Sequence, residues 1–106
     1  MTNSSDQKKV EKIVLNSASS FYWGMNLLKK DQRRAMFSIY SFCRIVDDIA
    51  DSESFKSKKI NSLNDWKKKV DDIYIKKTDG YITRELKIAI EKYGLIKTDF
   101  IAIING

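Results

Sequence analysis

The chain has 106 residues, 42% hydrophobic and 32% charged, with a formal net charge of +6, a single cysteine and neither histidine nor proline. That length bounds it to one domain that buries about two-thirds of the surface of its unfolded chain. The absence of histidine excludes zinc centres and histidine-based acid–base or triad chemistry, and a lone Cys43 excludes an internal disulfide. No apolar run nears the ~20 residues of a membrane span, and M-T-N-S-S-D-Q-K-K lacks the apolar core of a signal peptide, so a cytoplasmic protein is expected.

Helical spacing dominates from the start. Beyond a ragged first stretch, a first amphipathic segment runs from about Asp6 to Leu15 with Val10, Ile13 and Val14 on one side, and polar Asn16 to Ser20 breaks it. Helical spacing restarts through Phe21, Met25 and Leu28. Asp31 is the expected N-cap of a long helix to about Asp51, whose apolar flank is Ala35, Met36, Ile39, Phe42, Cys43, Val46 and Ala50. Arg33 and Arg34 read as surface residues. A polar loop from Asp51 to Lys59 follows, then a helix through Ile60, Leu63, Trp66, Val70, Ile73 and Tyr74. Another spans Ile82 to Tyr93, with Leu86, Ala89, Ile90 and Tyr93 inward and Gly94 ending it. A last helix runs from Thr98 to about Asn105 and opens on a cap-like T-D. The chain reads as all-α.

The positive charge is spread along the chain. Its one tight cluster, Lys67-Lys68-Lys69, lies beside Trp66 and before Asp71-Asp72, the pattern of a solvated amphipathic face, so no nucleic-acid binding is inferred.

The most informative stretch is Y-S-F-C-R-I-V-D-D-I-A-D, Tyr40 to Asp51. At about 3.6 residues per turn, Tyr40, Arg44, Asp47 and Asp51 share one face and Asp48 lies on its margin. Aspartates within a helix, four apart, are locally unfavourable by a few tenths of a kcal/mol each, roughly. A divalent cation between them reverses that sign, and Mg²⁺ is commonly held by one or two carboxylates together with substrate phosphates. The stripe therefore reads as a diphosphate–Mg²⁺ site, while taken without further support it is equally the solvated end of a helix. Arg44 suits either a phosphate or a neighbouring aspartate. Ser20 suits either a ligand or a helix cap.

The segment S-S-F-Y-W-G-M-N-L-L-K-K-D-Q-R-R-A-M-F-S-I-Y-S-F-C-R-I-V-D-D-I-A-D, with W-K-K-K-V-D-D-I-Y and Y-G-L-I-K-T-D-F-I-A-I-I-N-G downstream, resembles the squalene/phytoene synthases, the head-to-head prenyl transferases of squalene, hopanoid and carotenoid biosynthesis. The resemblance covers about Ser17 to Gly106. It implies an all-α isoprenoid-synthase fold whose helices surround a cavity for two prenyl diphosphates, with two acidic motifs facing each other across bound Mg²⁺. Asp47, Asp48 and Asp51 match the first motif, with Asp47 and Asp51 as its foremost ligands. Arg44 matches an arginine placed to take phosphate oxygens bidentately, and Tyr40 a cavity tyrosine. Ser20, Phe21 and Tyr22 match the Ser-Phe-Tyr motif, the serine toward diphosphate and the aromatic toward the prenyl tunnel. Within the family the resemblance runs first to members that join two farnesyl diphosphates, then to those that join two geranylgeranyl diphosphates.

A second acidic motif of the D-x-x-x-D kind is absent from these residues. The chain is accordingly expected to be the N-terminal part of such a synthase domain, inactive by itself, with room for peripheral membrane contact by a lipid product and no oligomeric state specified. The competing expectations are a non-catalytic helical module that binds a partner or Mg²⁺, and a basic nucleic-acid binder.

Overall fold

In the computed structural model, which describes residues 4–17, 22 and 24–106, the apolar repeats fold as α-helices, with no strand among those residues. The helices are α1 (Ser4–Ser17), α2 (Lys30–Ala50), α3 (Lys56–Tyr74), α4 (Tyr81–Tyr93) and α5 (Lys97–Asn105). The all-α expectation holds. Helix α2 packs against each of the other four, with α1 and α4 together on one flank and α3 and α5 together on the other.

The core forms where the apolar faces meet. Val10 and Val14 of α1, Phe42 and Val46 of α2, Val70 and Ile73 of α3, Leu86 and Ile90 of α4, and Phe100 and Ile104 of α5 are all buried. Each large apolar side chain so placed stabilises the fold by about 1.5–3 kcal/mol. Phe42 is the hinge of the packing: its ring lies edge-on to Trp66 at 5.9 Å and to Phe100 at 5.4 Å, the geometry favoured by aromatic quadrupoles. One residue thereby joins α2, α3 and α5.

Several expectations are corrected. Asp31 does not cap α2; the cap position is Lys29, without a side-chain bond, and Asp31 lies inside the first turn, where its charge complements the helix dipole and pairs with Lys92 at 2.6 Å. Helix α3 begins at Lys56 rather than Ile60, because its first turn of lysines and serine faces water and needs no apolar residue to be helical. The cap-like Thr98 is already inside α5, whose cap is Ile96. Tyr93 and Ala50 are exposed, not inward. Phe37, absent from the expected flank, is buried and stacks on Tyr22 with centroids 5.4 Å apart. Gly94 does end α4 as expected: its φ of 63° is left-handed, and its N–H and that of Leu95 both close on the Ile90 carbonyl, at 2.8 and 3.3 Å.

Two ion pairs stitch distant segments. Asp6, at the expected start of the first helix, is buried and accepts from Arg84 Nε at 2.6 Å and Nη2 at 2.9 Å. Arg34, expected on the surface, is half-buried and donates to buried Glu85.

Candidate acidic site

The site residues descend from the geometry of α2. The buried side of the helix carries Ala35, Ser38, Phe42 and Val46, a spacing of threes and fours that sets its core face. Tyr40, Arg44, Asp47 and Asp51 recur on the opposite side. Arg44, Asp47, Asp48 and Asp51 are exposed there, and Tyr40 is half-buried at the edge of the core. Arg44, Asp47, Asp48 and Asp51 thus lie on the exposed side of α2, with Arg44 in contact with Asp48. Ser20 and Phe21 lie outside the described residues. Tyr22 is half-buried, its ring against Phe37.

Within the stripe, Arg44 Nη2 stands 3.3 Å from Asp48 Oδ1, with side chains 48% and 59% exposed, so the pair is loose and solvated. Either partner is thus free to exchange it for a better ligand. Asp51 caps the helix by donating its N–H to the Asp47 carbonyl at 2.9 Å, and Ser52 Oγ donates to the Ile49 carbonyl at 2.9 Å. The three carboxylates therefore crowd the negative end of the α2 dipole. Field and side chains add on the Asp47–Asp51 side of the helix end, which attracts cations, while on its Asp48 side Lys58 and Lys59 of α3 stand against the same end and offset it. Cys43 is half-buried beside this stripe, and burial, reinforced by the Asp47 charge, pushes its thiol above the usual range, which makes it packing rather than a nucleophile.

The donor set consists of carboxylate oxygens, which suits Mg²⁺. Among the described residues no three acidic or cysteine side chains are gathered closely enough to enclose an ion. Asp47 and Asp51 are therefore residues that would offer such an ion one or two carboxylates, leaving its other positions to water and phosphate.

On the Met36–Ile39 flank of α2 lies an apolar groove of about 400 Å³, to which Leu28, Tyr93 and Leu95 also contribute. Sequence reasoning counted Met36 and Ile39 as core and missed it, because a helical period tells which residues share a face and not whether the next helix covers them. Along α2, Ile39 and Asp47 are about 12 Å apart at 1.5 Å per residue.

The chain matches the squalene/phytoene synthase family over residues 14–106, nearly the whole of its length. It belongs to the squalene/phytoene synthase family. Among relatives, it is 39% identical over 88 residues to the presqualene diphosphate synthase of Sinorhizobium fredii, a match covering 83% of this chain and 31% of that protein. It is also 39% identical over 88 residues to the presqualene diphosphate synthase of Rhodopseudomonas palustris, with the same 83% and 31% coverage. With the phytoene synthase of Mycobacterium tuberculosis it shares 36% identity over 63 residues, covering 59% of this chain and 21% of the relative. The chain spans about a third of the length of the presqualene diphosphate synthases it matches. No solved structure matches it. As a segment of the squalene/phytoene synthase family, it is all-α, and no described helix is long and apolar enough to cross a membrane.

Proposed function

We propose that this chain supplies the first acidic half of a site that joins two prenyl diphosphates head to head, with Asp47 and Asp51 holding Mg²⁺, Asp48 assisting, and Arg44 taking diphosphate oxygens. The observation that carries the reading is that α2 bears both an exposed acid–arginine stripe at its C-terminal end and, along its Met36–Ile39 flank and about 12 Å nearer its N-terminus, an apolar groove. A prenyl diphosphate has the same polarity: a multiply charged head and a hydrocarbon tail.

When bound, Mg²⁺ supplies charge neutralisation for the departing diphosphate. The chain's own residues bind and orient the leaving group. Arg44, released from its loose contact with Asp48, donates two parallel hydrogen bonds to phosphate oxygens as the allylic C–O bond breaks and its electron pair leaves with diphosphate. The allylic cation is then attacked by the double bond of the second prenyl chain, and loss of a proton closes a cyclopropane. Tyr40, which packs at the edge of the core, would hydrogen-bond the diphosphate or turn its ring toward the cation. Ser20 and Phe21 would complete the diphosphate and tail contacts, with Tyr22 beside them. The higher identity to presqualene diphosphate synthases, 39% over 88 residues against 26% over 89 for a phytoene synthase, favours farnesyl over geranylgeranyl diphosphate as the substrate. The second acidic half of the site would come from residues beyond these 106. We take the product to be released from a cytoplasmic or membrane-associated enzyme.

The test is titration of a non-hydrolysable farnesyl diphosphate analogue into the chain with and without Mg²⁺. Binding that needs Mg²⁺ and is lost in Asp47→Asn and Asp51→Asn supports the reading. Binding indifferent to both would leave a helical interaction module as the better account.

A further inference from the structure

A second groove, of about 300 Å³, lies where α2 ends and α3 begins, and Asp48, Ser52, Ser54, Lys58, Lys59 and Ser62 contribute to its wall. This volume is at the lower end of pockets that take small ligands. Ile45 and Ile49 give the groove an apolar floor, and the lysines and serines of its rim are the groups that could receive an oxyanion. Among the described residues neither Lys58 nor Lys59 stands within ion-pairing distance of a carboxylate, although Arg34, Arg44, Lys76, Arg84, Lys92 and Lys97 all have one. Lys59 spends one N–H on the Ala50 carbonyl at 3.3 Å and keeps two. Ser52 uses its hydroxyl hydrogen on Ile49, while Ser54 and Ser62 have theirs to give. The one acidic residue of the wall, Asp48, already faces the Arg44 guanidinium at 3.3 Å.

We infer that this groove binds a phosphate or diphosphate group, held by the ammonium groups of Lys58 and Lys59 and by the hydroxyls of Ser54 and Ser62. In the sequence Lys58 and Lys59 look like solvated charges; only the turn from α2 into α3 sets them against the end of the acidic stripe. The location at Asp48 makes the occupant the diphosphate handled by that stripe, and this assignment of the occupant rests on the proposed function, whereas the site itself does not. Lys58 and Lys59 are then substrate-positioning residues particular to the α2–α3 junction.

The probes are inorganic diphosphate and farnesyl diphosphate, titrated separately into the ¹⁵N-labelled chain and followed by amide chemical shifts and calorimetry. Saturable shifts at Ser54, Lys58, Lys59 and Ser62 are expected with both, and the K58A/K59A double variant should weaken inorganic diphosphate by about tenfold or more, the loss of two charge-assisted contacts. The K67A/K68A variant removes the same charge farther along α3 and should bind normally. Equal weakening in the two double variants, or shifts that bypass the groove, would overturn the site, as attraction by net charge alone then explains the binding. If K58A/K59A is silent while D47N and D51N abolish Mg²⁺-dependent farnesyl diphosphate binding, this inference fails and the proposed function stands. If K58A/K59A weakens inorganic diphosphate while farnesyl diphosphate never requires Mg²⁺, the groove stands and the proposed function fails. Far-UV circular dichroism separates loss of binding from loss of helix.

Discussion

Arg34 and Glu85, 51 positions apart, are locked by two parallel hydrogen bonds, Nε to Oε1 at 2.8 Å and Nη2 to Oε2 at 2.7 Å. The side chains are 18% and 1% exposed, so this bidentate pair ties α2 to α4 in a largely dry setting. The hydrogen bonds that Arg34 donates to Glu85, together with the Glu85 charge, hold the guanidinium above its ordinary range despite partial burial. Removing one partner strands the other. Arg34→Met should cost about 3–5 kcal/mol, and Arg34→Met with Glu85→Leu should recover much of it, because an apolar pair of similar volume needs no charge compensation. Urea midpoints of the three proteins decide this; equal destabilisation in single and double variants would contradict it.

Asp6 and Arg84 predict the acid response. The hydrogen bonds from Arg84 hold the Asp6 carboxyl below the usual aspartate value, against burial, which raises it. A depressed carboxyl contributes stability that is fully present above the unfolded value of about 3.9 and is lost as pH falls through the lower folded value. Asp31 and Glu91, depressed by their bonds to Lys92 and Lys76, act in the same direction. Asp6→Asn should therefore be less stable at neutral pH and show a shallower fall of urea midpoint with acid below about pH 4. A slope identical to that of the parent chain would sink the assignment.

The acidic stripe predicts a trade of stability for binding. Asp47 and Asp51 are exposed like charges one turn apart at the negative end of α2. Asp51→Asn should raise stability by a few tenths to about 1 kcal/mol while removing Mg²⁺-dependent ligand binding. Thermal melts at low ionic strength read the first effect and calorimetry the second.

Ser41 offers the simplest core test. Its hydroxyl is fully buried on α2 and lacks a hydrogen-bond partner, whereas neighbouring Ser38 donates to the Ala35 carbonyl at 2.7 Å. Ser41→Ala should stabilise by about 1 kcal/mol, since it deletes an unsatisfied polar atom and leaves almost no cavity. Ser38→Ala should gain nothing comparable.

What the sequence by itself determined is whatever depends on local periodicity. The helices, the inward set around Phe42, Val46, Leu86 and Ile90, the left-handed close at Gly94 and the convergence of Tyr40, Arg44, Asp47 and Asp51 on one side of α2 all follow from spacings of three and four. The family resemblance was carried by the same contiguous stretch. What only the tertiary structure decided is which surfaces meet. Asp6 and Arg84 are 78 positions apart, and no local pattern distinguishes them from the solvated charges around them. Likewise Lys58 and Lys59 become the wall of a groove, and Met36 and Ile39 the wall of another, through the way α3 and α4 are set against α2. A helical period fixes the face a side chain occupies; the crossing of the neighbouring helix, set by packing over the whole core, fixes whether that face is buried, paired or left open to a ligand.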